Sequence, residues 1–474
     1  MVTMTGGMTT AAQAAVQPPQ ITAGVAHSCV VISGGTIKCW GYNGWGTLGN
    51  GTTTDSSLPV SVSGITTATQ VAAGDYYSCA LLTGGTVKCW GDNQRGQLGD
   101  GSTTRSSTPV SVTGITTATQ VTAGGGHSCA VLTGGTVKCW GDNASGELGD
   151  GSTTRSSTPV SVTGITTAIQ VTAGSVYSCA VLTGGTVKCW GDNTFGELGD
   201  GSTTRSSTPV SVTGITTATQ ITAGGSHSCA VLTGGTVKCW GYNGFGELGD
   251  GTTSDSLEPV SVTGITTATQ VTAGSTHSCA VLTAGTVKCW GENTVGQLGD
   301  RTTTDSHVPV GVTGITTATQ IATGNRHSCA LLTGGTVKCW GSNNGGQLGD
   351  GTTINSNVPV GVTGITTPTR LTVAKARHKI TRTVIWFTTS VTVSGGGKLT
   401  QVITHRTGRK TRTLCTAKAT TTTAHAYTLA CKITKAGRAV LRKTAMTLTL
   451  TTTFTPTGGT KVTKKQVVKL KRTR

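Results

Sequence analysis

The 474-residue chain has few aromatic residues (4%), few charged residues (11%) and only 11 prolines. No apolar stretch approaches the roughly 20 residues that a spanning helix needs, so no transmembrane span is expected. Charge this sparse, without heptad patterning, excludes a coiled coil or a helical bundle. No Ser/His/Asp or Cys/His set stands out, and no paired carboxylates sit at one unique point. Catalysis needs a unique, asymmetric constellation, so the chain reads as a non-enzyme with no cofactor and no resident metal. The first 20 residues lack both a basic n-region and a solid apolar core. They do contain Ala-Gln-Ala at 13–15, like the end of a signal peptide, and read as a disordered tail or a remnant leader. Acidic residues are missing altogether after residue 370.

That last absence splits the chain electrostatically. Residues 1–370 carry 14 Lys and Arg against 18 Asp and Glu, a net charge of −4, whereas residues 371–474 carry 22 and none, so the total is +18. A nearly neutral part is joined to a polycation, which implies a polyanionic partner for the second part. What is abundant is glycine (71 residues) and threonine, a composition suited to short strands joined by tight turns.

A 50-residue period runs without insertion from 21 to 370. Its seven copies start at Ile21, Val71, Val121, Val171, Ile221, Val271 and Ile321, and such a period marks a repeat architecture. In one copy, Ser128–Leu132 and Thr136–Trp140 flank Thr133-Gly134-Gly135, a hairpin around a tight glycine turn. Pro109–Val112 and Gln120–Ala123 supply two further strands. Four short strands per copy, seven times over, predict small sheets packed radially as a seven-bladed β-propeller. If Pro-Val-x-Val opens each blade, the first blade lacks that strand. Val358–Val362, left over at the far end, would then complete it as a non-covalent clasp.

The run from His327 to Gly351, H-S-C-A-L-L-T-G-G-T-V-K-C-W-G-S-N-N-G-G-Q-L-G-D-G, with six near-copies, resembles the RCC1 repeat. The resemblance covers residues 21–370. It implies a seven-bladed propeller, in a family known for a guanine nucleotide exchange factor on chromatin and for bacterial secreted members that bind proteins. A cysteine pair in every repeat is not part of the family's minimal pattern.

The 16 cysteines follow that repeat. Seven pairs each flank a hairpin turn symmetrically: Cys29 with Cys39, Cys79 with Cys89, Cys129 with Cys139, Cys179 with Cys189, Cys229 with Cys239, Cys279 with Cys289 and Cys329 with Cys339. Directly opposite residues of a hairpin lie close enough for a disulfide. A zinc site would need four convergent ligands from neighbouring blades, and free thiols would be expected in a reducing cytosol. Cys415 and Cys431 are read as an eighth bridge. Disulfides in this number place the chain in an oxidising compartment, outside the cell or on its surface.

Differences among the copies fall in two loops, the one before His-Ser-Cys and the one after Lys-Cys-Trp-Gly. In a four-strand meander both emerge on the same face. They carry Tyr42, Trp45, Tyr76, Tyr77, Arg95, Tyr177, Phe195, Tyr242, Phe245 and Arg326, residue types that anchor interfaces. This is the expected binding face for a protein or glycan. The competing reading is drift in solvent loops after duplication. Trp40 and its six equivalents are expected between blades, and Asp100 and its equivalents at turn caps. His27, His127, His227, His277 and His327 share one position with Tyr77 and Tyr177, which points to packing and not to metal. Glu147, Glu197 and Glu247 in adjacent blades are read as a local acidic patch.

Residues 371–474 alternate apolar residues with Thr, Lys and Arg, as in a small β-sandwich, with Trp386 and Phe387 in its core or at the junction. The expected partner of this basic domain is a cell-wall polymer or an anionic surface. Nucleic acid is less favoured because aromatics are few. Taken together, the sequence predicts a secreted or surface-attached binding propeller with a polyanion-binding tail domain. The alternatives are an exchange factor acting on a small GTPase and a structural envelope component.

Overall fold

The structure is a computed structural model that describes residues 20–32, 34–365, 371–374, 376–380, 385–393, 397–407, 410–421, 425–433, 446–456 and 461–470. Of the tail or leader expected at 1–20, residues 1–19 lie outside these residues, and Gln20 opens the first strand. Residues 20–361 form seven four-stranded antiparallel sheets, each built from one contiguous stretch of chain. Blade one comprises Gln20–Ala23, His27–Ile32, Thr36–Gly41 and Ser56–Ser61, and blade seven Ala318–Thr323, His327–Leu332, Val337–Gly341 and Ser356–Gly361. The Gln-Val-Thr-Ala strand is innermost and the Pro-Val-x-Val strand outermost.

The clasp expected at the far end is therefore absent. Ser356–Gly361 pairs within its own blade, with Lys338 opposite Gly361 and Cys339 opposite Val360. The loop after Trp-Gly turns the chain back onto the strand it has just left. In blade seven Asn343 organises that return: its side chain donates to Thr352 O and Ile354 O, and accepts from Leu348 N. Every blade is complete, and the ring closes without a shared strand, through side chains and through backbone bonds such as Gly351 N to Ser57 O at 3.0 Å.

Three contacts recur at every seam. The tryptophan of each third strand is fully buried, and its Nε1 donates to a backbone carbonyl of the preceding blade, as Trp140 does to Gln97 O at 2.9 Å. At the closing seam Trp40 donates in the same way to Gln347 O at 2.8 Å. A belt of glutamines satisfies the free edges of the inner strands. Gln70, for example, accepts from Val121 N and donates to Val121 O. Gln320 closes this belt by accepting from Ile21 N. Lastly, the first residue of each second strand bonds the next blade's serine, as His127 does Ser178 and His327 does Ser28. Each seam thus pairs buried polar groups that would otherwise be costly.

Burial follows from this stacking. The second strand is buried along nearly its whole length, as in His127–Leu132, because blades cover both of its faces. The outer strand is only half covered.

The cysteines occupy directly opposed positions of the two buried central strands, as Cys79 and Cys89 do with Cα atoms 4.0 Å apart. Every blade carries its bridge within itself. Cys29 is joined to Cys39, Cys79 to Cys89, Cys129 to Cys139 and Cys179 to Cys189. Cys229 is joined to Cys239, Cys279 to Cys289 and Cys329 to Cys339. The pairing expected from the hairpin symmetry is the pairing present, and none of these sulfurs is left to serve as a metal ligand between blades.

The remaining strands form two sheets. One contains Leu371–Val373, Arg377–Ile380, Ile385–Val393 and His425–Ile433; the other contains Gly397–Thr407, Lys410–Thr421, Met446–Pro456 and Val462–Leu470. Phe387, Ile403, Leu448 and Leu450 pack in one core cluster, and Val391, Leu399, Leu429 and Phe454 in a second. Cys415 and Cys431 are joined across the two sheets, with Cα atoms 6.1 Å apart. Trp386 lies on the strand of Phe387, opposite Lys379 and Lys432, and its side chain is outside the description.

Candidate protein-binding face

In every blade, the loop from the first to the second strand and the loop from the third to the fourth leave from the same end of the sheet. The loops that vary most therefore meet on one face of the propeller. In five blades the longer loop is closed by one of two designs. In blades two and three an aspartate near the loop start binds an arginine near its end: Arg105 Nε reaches Asp92 at 2.9 Å and Arg155 Nε reaches Asp142 at 2.7 Å. In blades one, five and six the loop ends instead in Asp55, Asp255 or Asp305, whose carboxylate accepts from the backbone N–H of Asn43, Asn243 or Asn293. Either way the loop is closed at its neck, which gives the side chains at its tip a fixed platform.

Two aromatic groups result. On blades one and two, the exposed Tyr76 meets Tyr42 edge-on at 5.8 Å and Trp45 at 6.5 Å. Arg105 lies over the Trp45 ring, 3.4 Å from its centroid. On blades four and five, Phe195 meets Tyr242 at 5.1 Å and Tyr242 meets Phe245 at 6.4 Å. Edge-on aromatic pairs of this kind hold their rings in place. Arg95 is half exposed and binds Asp142 at 2.6 Å, so Asp142 is shared by two arginines. Burial alone would raise the Asp142 carboxyl, but the bond from Arg155 and the charges of Arg95 and Arg155 hold it below the usual range. Arg326, also half exposed, pairs with the buried Glu292 at 3.1 Å.

Tyr77 and Tyr177 do not belong to this surface. Both are fully buried, and each phenol donates to the next blade's carbonyl, at His127 and His227. They stand in for the seam histidines, with the hydroxyl reaching the same serine position, Ser128 or Ser228. Adjacency to a variable loop was misleading here, because the next residue already begins the buried strand. The acidic patch is also corrected. Glu147, Glu197 and Glu247 are buried, and each accepts from the backbone N–H two residues earlier, at Ser145, Phe195 and Phe245. Burial pushes the Glu197 and Glu247 carboxyls up to about 7. In other blades Gln97, Gln297 and Gln347 make the same bond.

The sequence reading missed Arg105, Arg155 and Asp142, which set the shape of the face. The signal was present in the copies: Asp92 goes with Arg105 and Asp142 with Arg155, while Tyr42 goes with Asp55 and Tyr242 with Asp255.

At the centre of the face the channel narrows to a ring of glycines. A side chain at Gly174 would stand 2.8 Å from Gly224 O, and the same approach repeats around the ring. Hydrogen bonds tie neighbouring blades there, such as Gly125 N to Gly174 O. The mouth encloses about 100 Å³ and contains one carboxyl, Asp75, which burial raises to about 6. Among the described residues no group of three or more His, Cys, Asp or Glu is placed to hold a metal ion, and no helix is long and apolar enough to cross a membrane.

Comparison with known proteins agrees with this architecture. The family model of the RCC1-like domain matches residues 117–406. The chain belongs to the RCC1-like domain family. Models of the RCC1 repeat also match residues 35–81, 84–131 and 68–97. Among solved structures, human WBSCR16 superposes with a TM-score of 0.65 at 22% identity, over 71% of this chain and 96% of that one. Yeast RCC1 (Prp20) bound to Kap60 gives 0.63 at 19% identity, over 74% and 85%. Prp20p from Saccharomyces cerevisiae, described with its binding to Gsp1p and histones, gives 0.62 at 21% identity, over 74% and 87%. At these identities the likeness is one of fold. No relative was found among curated protein sequences.

Proposed function

We propose that this RCC1-like propeller is a non-enzymatic binding module that takes a protein partner on the face bearing the varying loops. The observation that carries this reading is the assembly of Tyr42, Trp45 and Tyr76, and of Phe195, Tyr242 and Phe245, from adjacent blades into two fixed aromatic groups on the face that also bears the half-exposed Arg95 and Arg326. Aromatic and arginine side chains on rigid supports are the usual anchors of protein interfaces. Tyr76 and Phe195 are 40% and 37% exposed, so a partner can cover one ring in each group.

The bridged cysteine pairs support a working environment outside the reducing cytosol, in the medium or on the cell surface. The basic domain would hold the propeller to a polyanion such as a cell-wall polymer. Exposed Arg377, Lys398, Arg412, Lys418, Lys464, Lys465 and Lys469 support this, since no acidic residue neutralises them within residues 371–474.

The test is capture of partners from culture medium and envelope extract by the oxidised full chain, beside a variant with Trp45, Tyr76, Phe195 and Phe245 changed to Ala. Specific retention of a protein by the intact face alone supports the reading. Equal retention by both refutes it. Release of both forms from envelope polymer by salt would assign anchoring to the basic domain.

A further inference from the structure

The seven copies allow the two aromatic groups to be compared position by position. Trp45 and Phe245 are equivalent residues 200 positions apart, and both follow a Tyr-Asn-Gly sequence, at 42–44 and 242–244. The backbone around them is also alike, although the next blade presents the His307 imidazole to Gly246 where it presents Ser107 to Gly46. A side chain at Gly46 would meet Ser107 Cα at 2.6 Å, and one at Gly246 would meet His307 Cα at 2.6 Å, so the next blade's outer strand closes on both loops equally.

The groups differ in what covers the ring. At Trp45 the next blade supplies Arg105, whose guanidinium lies on the indole face and pairs with Asp92. The position equivalent to Arg105 beside Phe245 is Asp305, and beside Phe195 it is Asp255. Each of these carboxylates has one oxygen on a loop N–H, and neither joins an ion pair among the described residues. Asp255 lies near enough to Tyr242 to push its phenol upward, after burial and Glu247. Blades one and two therefore contain a filled cation–π site. Blades four to six contain its aromatic half with carboxylates where the cation's own residue would stand.

Resting on the reading of this face as protein-binding, the geometry points to a receptor site on blade five for an arginine side chain of a basic partner protein, formed by Phe195, Tyr242 and Phe245 with Asp255 and Asp305. A planar guanidinium can stack on a ring and meet a carboxylate at its edge in one pose, as Arg105 does with Trp45 and Asp92. A point-charge ammonium matches that template less well, so arginine should be preferred to lysine.

The experiment titrates the full chain at pH 7.5 with a blocked fluorescent peptide of alternating Gly and Arg. The same peptide with citrulline in place of arginine, and one with lysine, are the comparisons. The arginine peptide is expected to bind at least tenfold more tightly than the citrulline peptide and severalfold more tightly than the lysine peptide. Asp305→Arg, which supplies a covering arginine as in blade two, should weaken binding at least tenfold. So should Phe245→Leu, which keeps apolar bulk. Arg105→Ala uncovers Trp45 and should add a second site to the stoichiometry. No binding of the arginine peptide, equal binding of arginine and citrulline peptides, or unchanged affinity in both Asp305→Arg and Phe245→Leu would overturn the assignment. So would self-association of the chain that Asp305→Arg abolishes, which would give the arginine to a second copy. If a captured partner is still lost only with the full aromatic variant and not with Asp305→Arg, the binding face stands while the arginine site fails.

Discussion

Replacing Glu247 with glutamine tests whether a buried carboxyl in this ring is held protonated. Burial pushes Glu247 from 4.5 to about 7, and the nearby Asp255 and Glu292 add to the rise against the stabilising N–H of Phe245. Because the folded value lies above the unfolded one, the stability from this proton is fully present below pH 4.5 and is lost as pH rises through 7. The loss accrues between those two values and amounts to about 3 kcal/mol once both states are ionised, from roughly 1.4 kcal/mol per pH unit. Gln97, Gln297 and Gln347 show that an amide makes the same bond to the loop N–H. Glu247→Gln should therefore stabilise by under about 1 kcal/mol at pH 5 and by about 3 kcal/mol at pH 8.5, a rise of several degrees in Tm. Thermal unfolding of both proteins across pH 5 to 8.5 measures it. A shift of the same size at every pH would show that the carboxyl is not titrating, and would refute the reasoning.

Acid should destabilise the ring through its histidines. Burial lowers His127, His227 and His327 to about 4 and His27 and His277 to about 3, so their contribution is present above pH 6.5 and lost as pH falls from 6.5 through those values. Replacing His127 with Tyr, the residue found at the equivalent Tyr77, should flatten that limb in urea titrations at pH 4.5 to 7. Arg301 takes φ of 79° at a position where the other copies have Gly. Arg301→Gly should stabilise by about 1 kcal/mol in equilibrium unfolding, and destabilisation would contradict the strain argument. Trp40→Ala and Trp190→Ala should each cost about 3–5 kcal/mol. Only the first opens a seam with no covalent linker, so only it should speed hydrogen exchange across residues 20–61; equal exchange in both would mean that the closing seam is tethered in some other way. Tyr77→Phe should lose about 1–3 kcal/mol of stability while retaining any captured partner, because its hydroxyl is paired inside the seam; loss of the partner without loss of stability would return Tyr77 to the binding surface.

Periodicity made much of the propeller legible. Fifty residues per copy, one glycine-turned hairpin and one opposed cysteine pair specify a blade, since strand alternation and turn chemistry act locally. The phase of the repeat was not legible. Pro-Val-x-Val could open one blade or end the previous one, and only the Asn-organised return loop, seen at Asn343, decides in favour of the end. Burial at Tyr77 and Glu247 was equally hidden. Both sit beside variable positions in the chain, and only blade stacking shows which of two adjacent residues faces the seam.

The sequence by itself determined the number of blades, the hairpin registers and the cysteine pairings, because each depends on residues a few positions apart. It also determined the separation of a nearly neutral propeller from a domain of charge +22. Only the tertiary structure decided how the ring closes, which loop residues meet across blades, and that Arg105 fills one aromatic site while Asp305 stands at its counterpart. Those relations join residues about 50 or 300 positions apart, and packing between blades, which local pattern does not encode, brings them together.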